Sequence, residues 1–273
     1  MIEKPPGPFD PGIGPGAPSA DPDVHRAAAE LARRLGPAVR LTVMTGAGVS
    51  AASGVPTFRG PEGLWKRYRP EQLATPDAFA RDPRLVWEWY DWRRQVIARC
   101  HPNRAHEVLA AWARRFTRAI VVTQNVDGLH ERAGLVDVVR LHGSIWEVFC
   151  SEACPGSPPR WRDERVPLPD LPPPCPYCGG HIRPGVVWFG EALPADAVAR
   201  ADAATTCDVF VAAGTSALVY PAAGFLHQAR RRGAFTVEIN PAATEASASV
   251  DLVIRAGAEV ALDAVERHLA AHA

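Results

Sequence analysis

The sequence predicts an α/β protein built on a doubly wound parallel sheet, with a smaller domain inserted into it. The first observation is a set of short β-branched runs at residues 41–45, 119–123, 138–141, 209–213, 235–239 and 252–254, each followed by a turn and a helical pattern. Near-continuous apolar strands alternating with helices imply a parallel sheet covered on both faces. The second is that two stretches break the alternation. Residues 60–102 are helical in pattern and rich in Trp and Arg, and residues 150–184 carry ten of the 27 prolines and four of the six cysteines. Both are assigned to the smaller domain. The third is length: 273 residues suffice for one large core and a modest insertion.

Taken in order, residues 1–22 hold seven Pro and four Gly and almost no large apolar side chains. Such a segment cannot bury enough surface to offset its ordering entropy, so it is expected to be a disordered Pro/Gly-rich arm. A helix is expected from Val24 through Leu35, stopped by Gly36-Pro37. The large domain is expected over residues 23–59, 103–146 and 186–273, with a helical module at 60–102 and a cysteine-bearing module at 147–185. The most apolar stretch, 209–226, is interrupted by Gly214, Thr215, Ser216, Pro221 and Gly224. It predicts a buried strand, a loop and a helix rather than a membrane span. The N-terminus has no apolar signal region, and four cysteines fall into close pairs, so a cytoplasmic protein is expected. Lys+Arg and Asp+Glu both number 30, which removes any bulk attraction to nucleic acid or membranes.

Gly46-Ala47-Gly48-Val49-Ser50 follows the strand at 41–45 directly. Glycines there let a backbone approach a pyrophosphate, and a following helix offers free N–H groups and a positive dipole end, as in a Rossmann-like fold. Taken alone, such a turn also serves as a plain strand-to-helix connection. Ala51 falls where the third glycine of a dinucleotide fingerprint belongs, and the nearest carboxylate, Glu62, lies in a loop rather than at a strand end. Ordinary hydride transfer is therefore disfavoured.

The longer run Gly46-Ala47-Gly48-Val49-Ser50-Ala51-Ala52-Ser53-Gly54-Val55-Pro56-Thr57-Phe58-Arg59-Gly60 closely resembles the NAD-binding signature of the sirtuin family. So do Thr123-Gln124-Asn125-Val126-Asp127-Gly128-Leu129-His130, Leu141-His142-Gly143, Gly214-Thr215-Ser216 and Asn240, in the family's order over about residues 24–260. The resemblance implies an NAD-dependent protein-lysine deacylase. In that reaction the acyl carbonyl oxygen attacks C1′ of the nicotinamide ribose, and the products are lysine, nicotinamide and 2′-O-acyl-ADP-ribose. It places Gly46, Ala47, Gly48, Ser50 and Ala51 at the cofactor, with Thr57, Phe58, Arg59 and Trp65 over it. Phe58 would shield the reactive carbon, while Arg59 and Gln124 would make polar contacts. Asn125 and Asp127 would hold the carboxamide and ribose. Thr215 and Ser216, after Gly214 and leading into a helix, would donate to phosphate oxygens. Asn240 would meet the adenosine ribose, and Ala258 also falls at the cofactor. His142 is implied as the general base, a task suited to an imidazole that titrates near neutral pH; a histidine after a strand is otherwise an ordinary structural or surface residue.

Cys150-x3-Cys154 and Cys175-x2-Cys178 are two thiol pairs 20 residues apart. That spacing predicts a closed tetrahedral Zn²⁺ site, one per chain and structural, because four protein ligands leave no position for water. The x3 spacing of the first pair departs from the commoner x2. Disulfides are the competing reading, and Cys100 and Cys207 are expected to be ordinary buried thiols.

The helix expected over residues 85–99 puts Val86, Tyr90, Arg93 and Ile97 on one face. An Arg in an apolar stripe can snorkel to water. The pair Tyr90-x-x-Arg93, with Ala74 in Leu73-Ala74-Thr75-Pro76, is similar to that of sirtuins that remove succinyl and malonyl groups, and Thr57 stands where many deacetylases carry Asp. A guanidinium takes a carboxylate with two charge-assisted bonds. Val187-Trp188-Phe189-Gly190-Glu191 resembles the family's peptide-binding strand, with Val187, Phe189 and Glu191 as substrate contacts. Two competing functions stay open at this point: mono-ADP-ribosyl transfer and a zinc-ribbon nucleic-acid module. The second is disfavoured by the neutral charge and the lack of an interleaved basic–aromatic stripe.

Overall fold

A computed structural model describes residues 21–58, 69–216 and 221–271. In chain order its strands are β1 (Leu41–Thr45), β2 (Ala119–Thr123), β3 (Val138–Arg140), β4 (Gly143–Cys150), β5 (Trp161–Arg162), β6 (Ile182–Val186), β7 (Val209–Ala213), β8 (Phe235–Ile239) and β9 (Leu252–Ile254). Its helices are α1 (Pro22–Arg34), α2 (Pro70–Leu73), α3 (Pro76–Arg81), α4 (Pro83–Arg99), α5 (Arg104–Arg115), α6 (Leu129–Arg132), α7 (Ala195–Ala204), α8 (Ala222–Arg231) and α9 (Ala258–Ala271).

Six strands form one parallel sheet in the order β3-β2-β1-β7-β8-β9. β1 and β7 lie at its centre and are buried at every position, which their apolar, β-branched sequences require. One face carries α1, α5 and α9, whose Leu31, Trp112 and Leu262 share a hydrophobic cluster with Val43 and Val211. The other carries α7 and α8, whose Ala201 and Phe225 pack with Met44 and Phe210. Strand order reverses between β1 and β7, so a crevice opens at their carboxyl ends, the place where open α/β sheets bind ligands.

A second sheet, antiparallel in the order β5-β4-β6, carries the cysteines. It shares a single cluster with α4: Trp87 and Tyr90 pack with Ile145, Val148, Cys150 and Cys175. The buried Trp87 Nε1–H donates to the Ile182 carbonyl at 2.7 Å, tying helix to sheet. The helical and cysteine-bearing stretches thus solve each other's shortage of apolar surface.

Helix starts come earlier than the apolar periodicity alone indicates. α1 begins at Pro22, where the Asp21 carboxylate accepts from the Asp23 N–H at 2.9 Å. α4 begins at Pro83, with Asp82 capping the Leu85 N–H at 2.9 Å. In both, an Asp-Pro pair supplies the cap and a pre-set first residue. Residues 187–191, expected as a strand, are not one. The Val187 N–H donates to the His142 carbonyl and the Phe189 N–H to the Ala74 carbonyl, so the segment is laid between two parts of the molecule instead of extending either sheet. No helix of the described residues is long and apolar enough to cross a membrane.

Candidate active site

The crevice is closed at its base by three glycines. A Cβ on Gly46 would sit 2.7 Å from the Gly214 carbonyl oxygen, one on Gly48 2.7 Å from Gly214 Cα, and one on Gly214, at φ +60°, 2.4 Å from the Val49 nitrogen. The turns after β1 and β7 therefore touch backbone to backbone, joined by the Gly48 N–H to the Gly214 carbonyl at 2.9 Å. These glycines pack the two turns against each other, a contact the sequence pattern did not indicate. The helix that follows is a seven-residue 3-10 helix, Ala47–Ser53, with no side-chain cap at Gly46. It holds Ala47, Ser50 and Ala51, with Ser50 buried and Ala51 exposed.

Strand ends across the sheet converge on Thr215. Gln124, after β2, donates its amide to the Thr215 hydroxyl at 3.0 Å, and Asn240, after β8, donates to the Thr215 carbonyl at 3.0 Å. Ser216 follows, residues 217–220 lie outside the described residues, and α8 begins at Ala222. Ala258 is the buried first residue of α9. Thr57 and Phe58 are half-buried, Phe58 packed against the cluster that holds Tyr90; Arg59 and Trp65 lie outside the described residues.

Below the crevice runs a buried polar network. The Ser50 hydroxyl donates to Asp127 at 2.7 Å, accepts from the Asn125 amide at 3.2 Å and lies 3.4 Å from His106 Nε2. The other Asp127 oxygen accepts the Leu129 N–H at 2.9 Å, which caps α6. His130 Nε2 lies 2.9 Å from the Thr45 hydroxyl, which donates to Thr123 at 2.8 Å. His130 Nδ1 is buried with no hydrogen-bond partner among the described residues, and its ring centre is 4.9 Å from that of His106. Burial pushes both imidazoles down, His106 to about 3, so each is neutral. The sequence pattern pointed to Ser50, Asn125 and Asp127 but missed His106 and His130 as members. One signal was available: Asn103 and His106 have capping-box spacing, and the Asn103 N–H does donate to His106 Nδ1 at 3.2 Å.

His142 follows β3, half-buried, with Nδ1 3.0 Å from the Gln124 carbonyl oxygen. That acceptor requires the proton on Nδ1 and leaves the Nε2 lone pair available. Burial lowers its pKa, so the unprotonated form prevails at neutral pH.

Tyr90 and Arg93 are both buried in α4, as is Ala74 after α2. Arg93 does not snorkel: it is 6% exposed, its guanidinium carbon 4.7 Å from the Phe58 ring centre and 4.9 Å from that of Trp89. Among the described residues it has no ion-pair or hydrogen-bond partner. The Tyr90 hydroxyl accepts from Trp188 Nε1 at 2.9 Å, and burial pushes its pKa up to about 12. The adjacent Arg94, fully buried, is structural: it donates to the Ile145 carbonyl at 2.9 Å and lies 3.5 Å from Asp163. Glu191, expected at the substrate, is engaged within the protein. Its carboxylate takes two bonds from Arg183, at 2.8 and 2.9 Å, and one from the Trp188 N–H at 2.8 Å.

The sulfurs of Cys150, Cys154, Cys175 and Cys178 all lie within 4.8 Å of one another, with Cys150–Cys178 at 3.7 Å and Cys154–Cys175 at 3.9 Å. Four thiolates around Zn²⁺ at about 2.3 Å are separated by about 3.8 Å, so the donor set fits a closed tetrahedral zinc. Cys154 joins despite the longer x3 loop because Ala153 turns with φ +46°. Cys100 and Cys207 are buried elsewhere.

Comparison with known proteins gives a consistent family. The Sir2 family profile matches residues 46–221. An NAD-dependent protein deacylase of Aquifex aeolicus is 47% identical over 236 residues, covering 85% of this chain and 95% of the relative. NAD-dependent protein deacylase 1 of Caldanaerobacter subterraneus is 50% identical over 217 residues, covering 79% and 88%. A Sir2 homologue solved as a complex with NAD superposes with a TM-score of 0.79 at 42% identity, covering 95% of this chain and 97% of the other.

Proposed function

Because this chain belongs to the Sir2 family and is an NAD-dependent protein-lysine deacylase, we propose that its preferred substrates are succinyl- and malonyl-lysine, with acetyl-lysine weaker. The observation that carries this reading is the buried guanidinium of Arg93, which has no ion-pair or hydrogen-bond partner among the described residues. A charge removed from water without a counter-charge is costly, and a terminal carboxylate on the acyl group supplies one with parallel charge-assisted bonds. An acetyl group leaves the guanidinium unpaired. Tyr90 adds a protonated hydroxyl, Ala74 keeps the acyl channel wide, and Thr57 puts no carboxylate against the incoming acid.

NAD, when bound, would supply the electrophilic ribose carbon for the acyl oxygen and nicotinamide as the leaving group. The residues of this chain do the rest. Asn125 and Asp127, held by Ser50, bind the carboxamide and ribose. Phe58 excludes water from the reactive carbon. His142 Nε2 takes a proton from a ribose hydroxyl, its ring oriented by the Gln124 carbonyl. The linked Gln124, Thr215 and Asn240, with Gly46, Gly48, Gly214, Ser216 and Ala258 around them, form the wall for the phosphates and adenosine. Val187 and the exposed Phe189 flank the peptide on either side of its lysine. The four cysteines hold one structural zinc.

The test compares products and kcat/KM for acetyl-, malonyl- and succinyl-lysine peptides with NAD by mass spectrometry. Arg93→Met should weaken the succinyl reaction by roughly 2–4 kcal/mol, the scale of a lost charged partner. Unaltered selectivity in that variant would falsify the acyl assignment.

A further inference from the structure

The Tyr90 hydroxyl offers one proton and two lone pairs, whereas an indole N–H can only donate. The 2.9 Å contact from Trp188 Nε1 therefore has one possible polarity: Tyr90 Oη accepts. Its own proton is left for another acceptor: the charges that act on the phenol are the Arg93 and Arg183 guanidinium groups, which have none to offer, and the Glu191 carboxylate, which is held by Arg183 and the Trp188 N–H. Among the described residues, no hydrogen-bond acceptor takes the Tyr90 proton or the Arg93 N–H groups.

Trp188 is in turn immobilised. The Arg183 guanidinium carbon lies 3.6 Å from the centre of its ring, and Phe79 packs on it with ring centres 5.4 Å apart. Its backbone N–H donates to Glu191, whose carboxylate grips Arg183 by two bonds. Trp188 is 3% exposed. A Trp held only for its bulk has no need of a directed N–H.

We propose that Trp188 is a positioning residue for acyl selectivity: its Nε1–H occupies Tyr90 Oη and commits the phenolic proton to the terminal carboxylate of a succinyl or malonyl group. The inference rests on the acidic-acyl reading above and adds to it a residue that never touches substrate. Orienting the hydroxyl before the acyl group arrives removes an ordering cost from binding.

The experiment is a double-mutant cycle on the full chain with NAD, reading the succinyl-to-acetyl ratio of kcat/KM for Trp188→Phe, Tyr90→Phe and the pair, with Arg93→Met alongside. Trp188→Phe should lower the ratio about five- to tenfold, the scale of one hydrogen bond, chiefly through KM on the succinyl peptide. In the Tyr90→Phe background the same substitution should have almost no further effect, because the group it orients is gone. A wild-type ratio in Trp188→Phe, or losses that simply add in the double variant, overturns the positioning role while Arg93→Met still loses selectivity. If Arg93→Met also keeps the wild-type ratio, the acyl reading itself fails. Should Trp188→Phe not fold, benzothienylalanine placed at position 188 keeps the shape, replaces the N–H by sulfur and is read in the same way.

Discussion

The Nδ1 atom of His142 faces the main-chain oxygen of Gln124 at 3.0 Å, and that oxygen belongs to the residue whose side chain binds Thr215 across the crevice. One residue therefore orients the base with its backbone and the opposite wall with its amide. Burial lowers the imidazole pKa, so the base form persists to lower pH than a free histidine allows. His142→Ala should lose on the order of 10²-fold or more in kcat while keeping its melting temperature. In the wild type, the acid limb of kcat/KM should fall below the ordinary value of about 6.5. A limb at or above that value, or an active alanine variant, removes His142 from the base role.

Gly214 carries a different burden. At φ +60°, with the Val49 nitrogen 2.4 Å from any added Cβ, alanine meets both a left-handed backbone and a main-chain clash. Gly214→Ala should cost about 2–4 kcal/mol in urea unfolding. Gly36 has open space around it, so Gly36→Ala should change stability by no more than about 1 kcal/mol. Equal effects at the two sites would show that the contact of the two turns is not what demands glycine.

Metal removal should act on one part of the molecule first. Cys150 and Cys175 share a hydrophobic cluster with Trp87 and Tyr90 of α4, so loss of zinc loosens the acyl-binding helix as well as β4–β6. Chelation should release one Zn²⁺ per chain, and hydrogen exchange should rise in β4, β6 and α4 before β1 and β7. Deacylation that continues unaltered after complete metal release contradicts a structural role.

Acid should weaken the fold through its buried histidines. His106 is held to about 3 and His130 is lowered in the same sense, both chiefly by burial. The unfolded chain binds these protons near the ordinary value of about 6.5, so the stability is fully present above that pH and is lost as pH falls toward the folded values. Between pH 6.5 and 4.5, His106 alone accounts for about 2–3 kcal/mol. His106→Gln should flatten the dependence of urea unfolding over that window. A slope identical to wild type would mean that the ring is already protonated in the folded protein.

Local chemistry was readable where a single stretch of chain decides it. The runs at 41–45, 119–123, 209–213, 235–239 and 252–254 became strands with those same limits, because a short apolar β-branched segment has few other ways to bury itself. The two cysteine pairs announced their cluster by spacing. Helix starts were misjudged by apolar periodicity yet written in the Asp-Pro pairs 21–22 and 82–83. The network under the crevice was not legible: Ser50 meets Asp127 across 77 positions, and Thr45 meets His130 across 85. The glycines were legible as special, but not their contact with each other, since the backbone that meets Gly46 and Gly48 arrives from Gly214, far along the chain.

Arg93 shows where the division falls. By itself the sequence determined that a guanidinium stands in the apolar stripe of α4 with Tyr90 one turn away, since helical periodicity is a property of the segment. Only the tertiary structure decided between a side chain that escapes to water and one sealed against Phe58 and Trp89, with no ion pair among the described residues. The same packing turned Glu191 inward onto Arg183 and set Trp188 on the Tyr90 hydroxyl. The physical reason is that burial and hydrogen-bond polarity depend on which surfaces close over a group, and those surfaces come from distant parts of the chain.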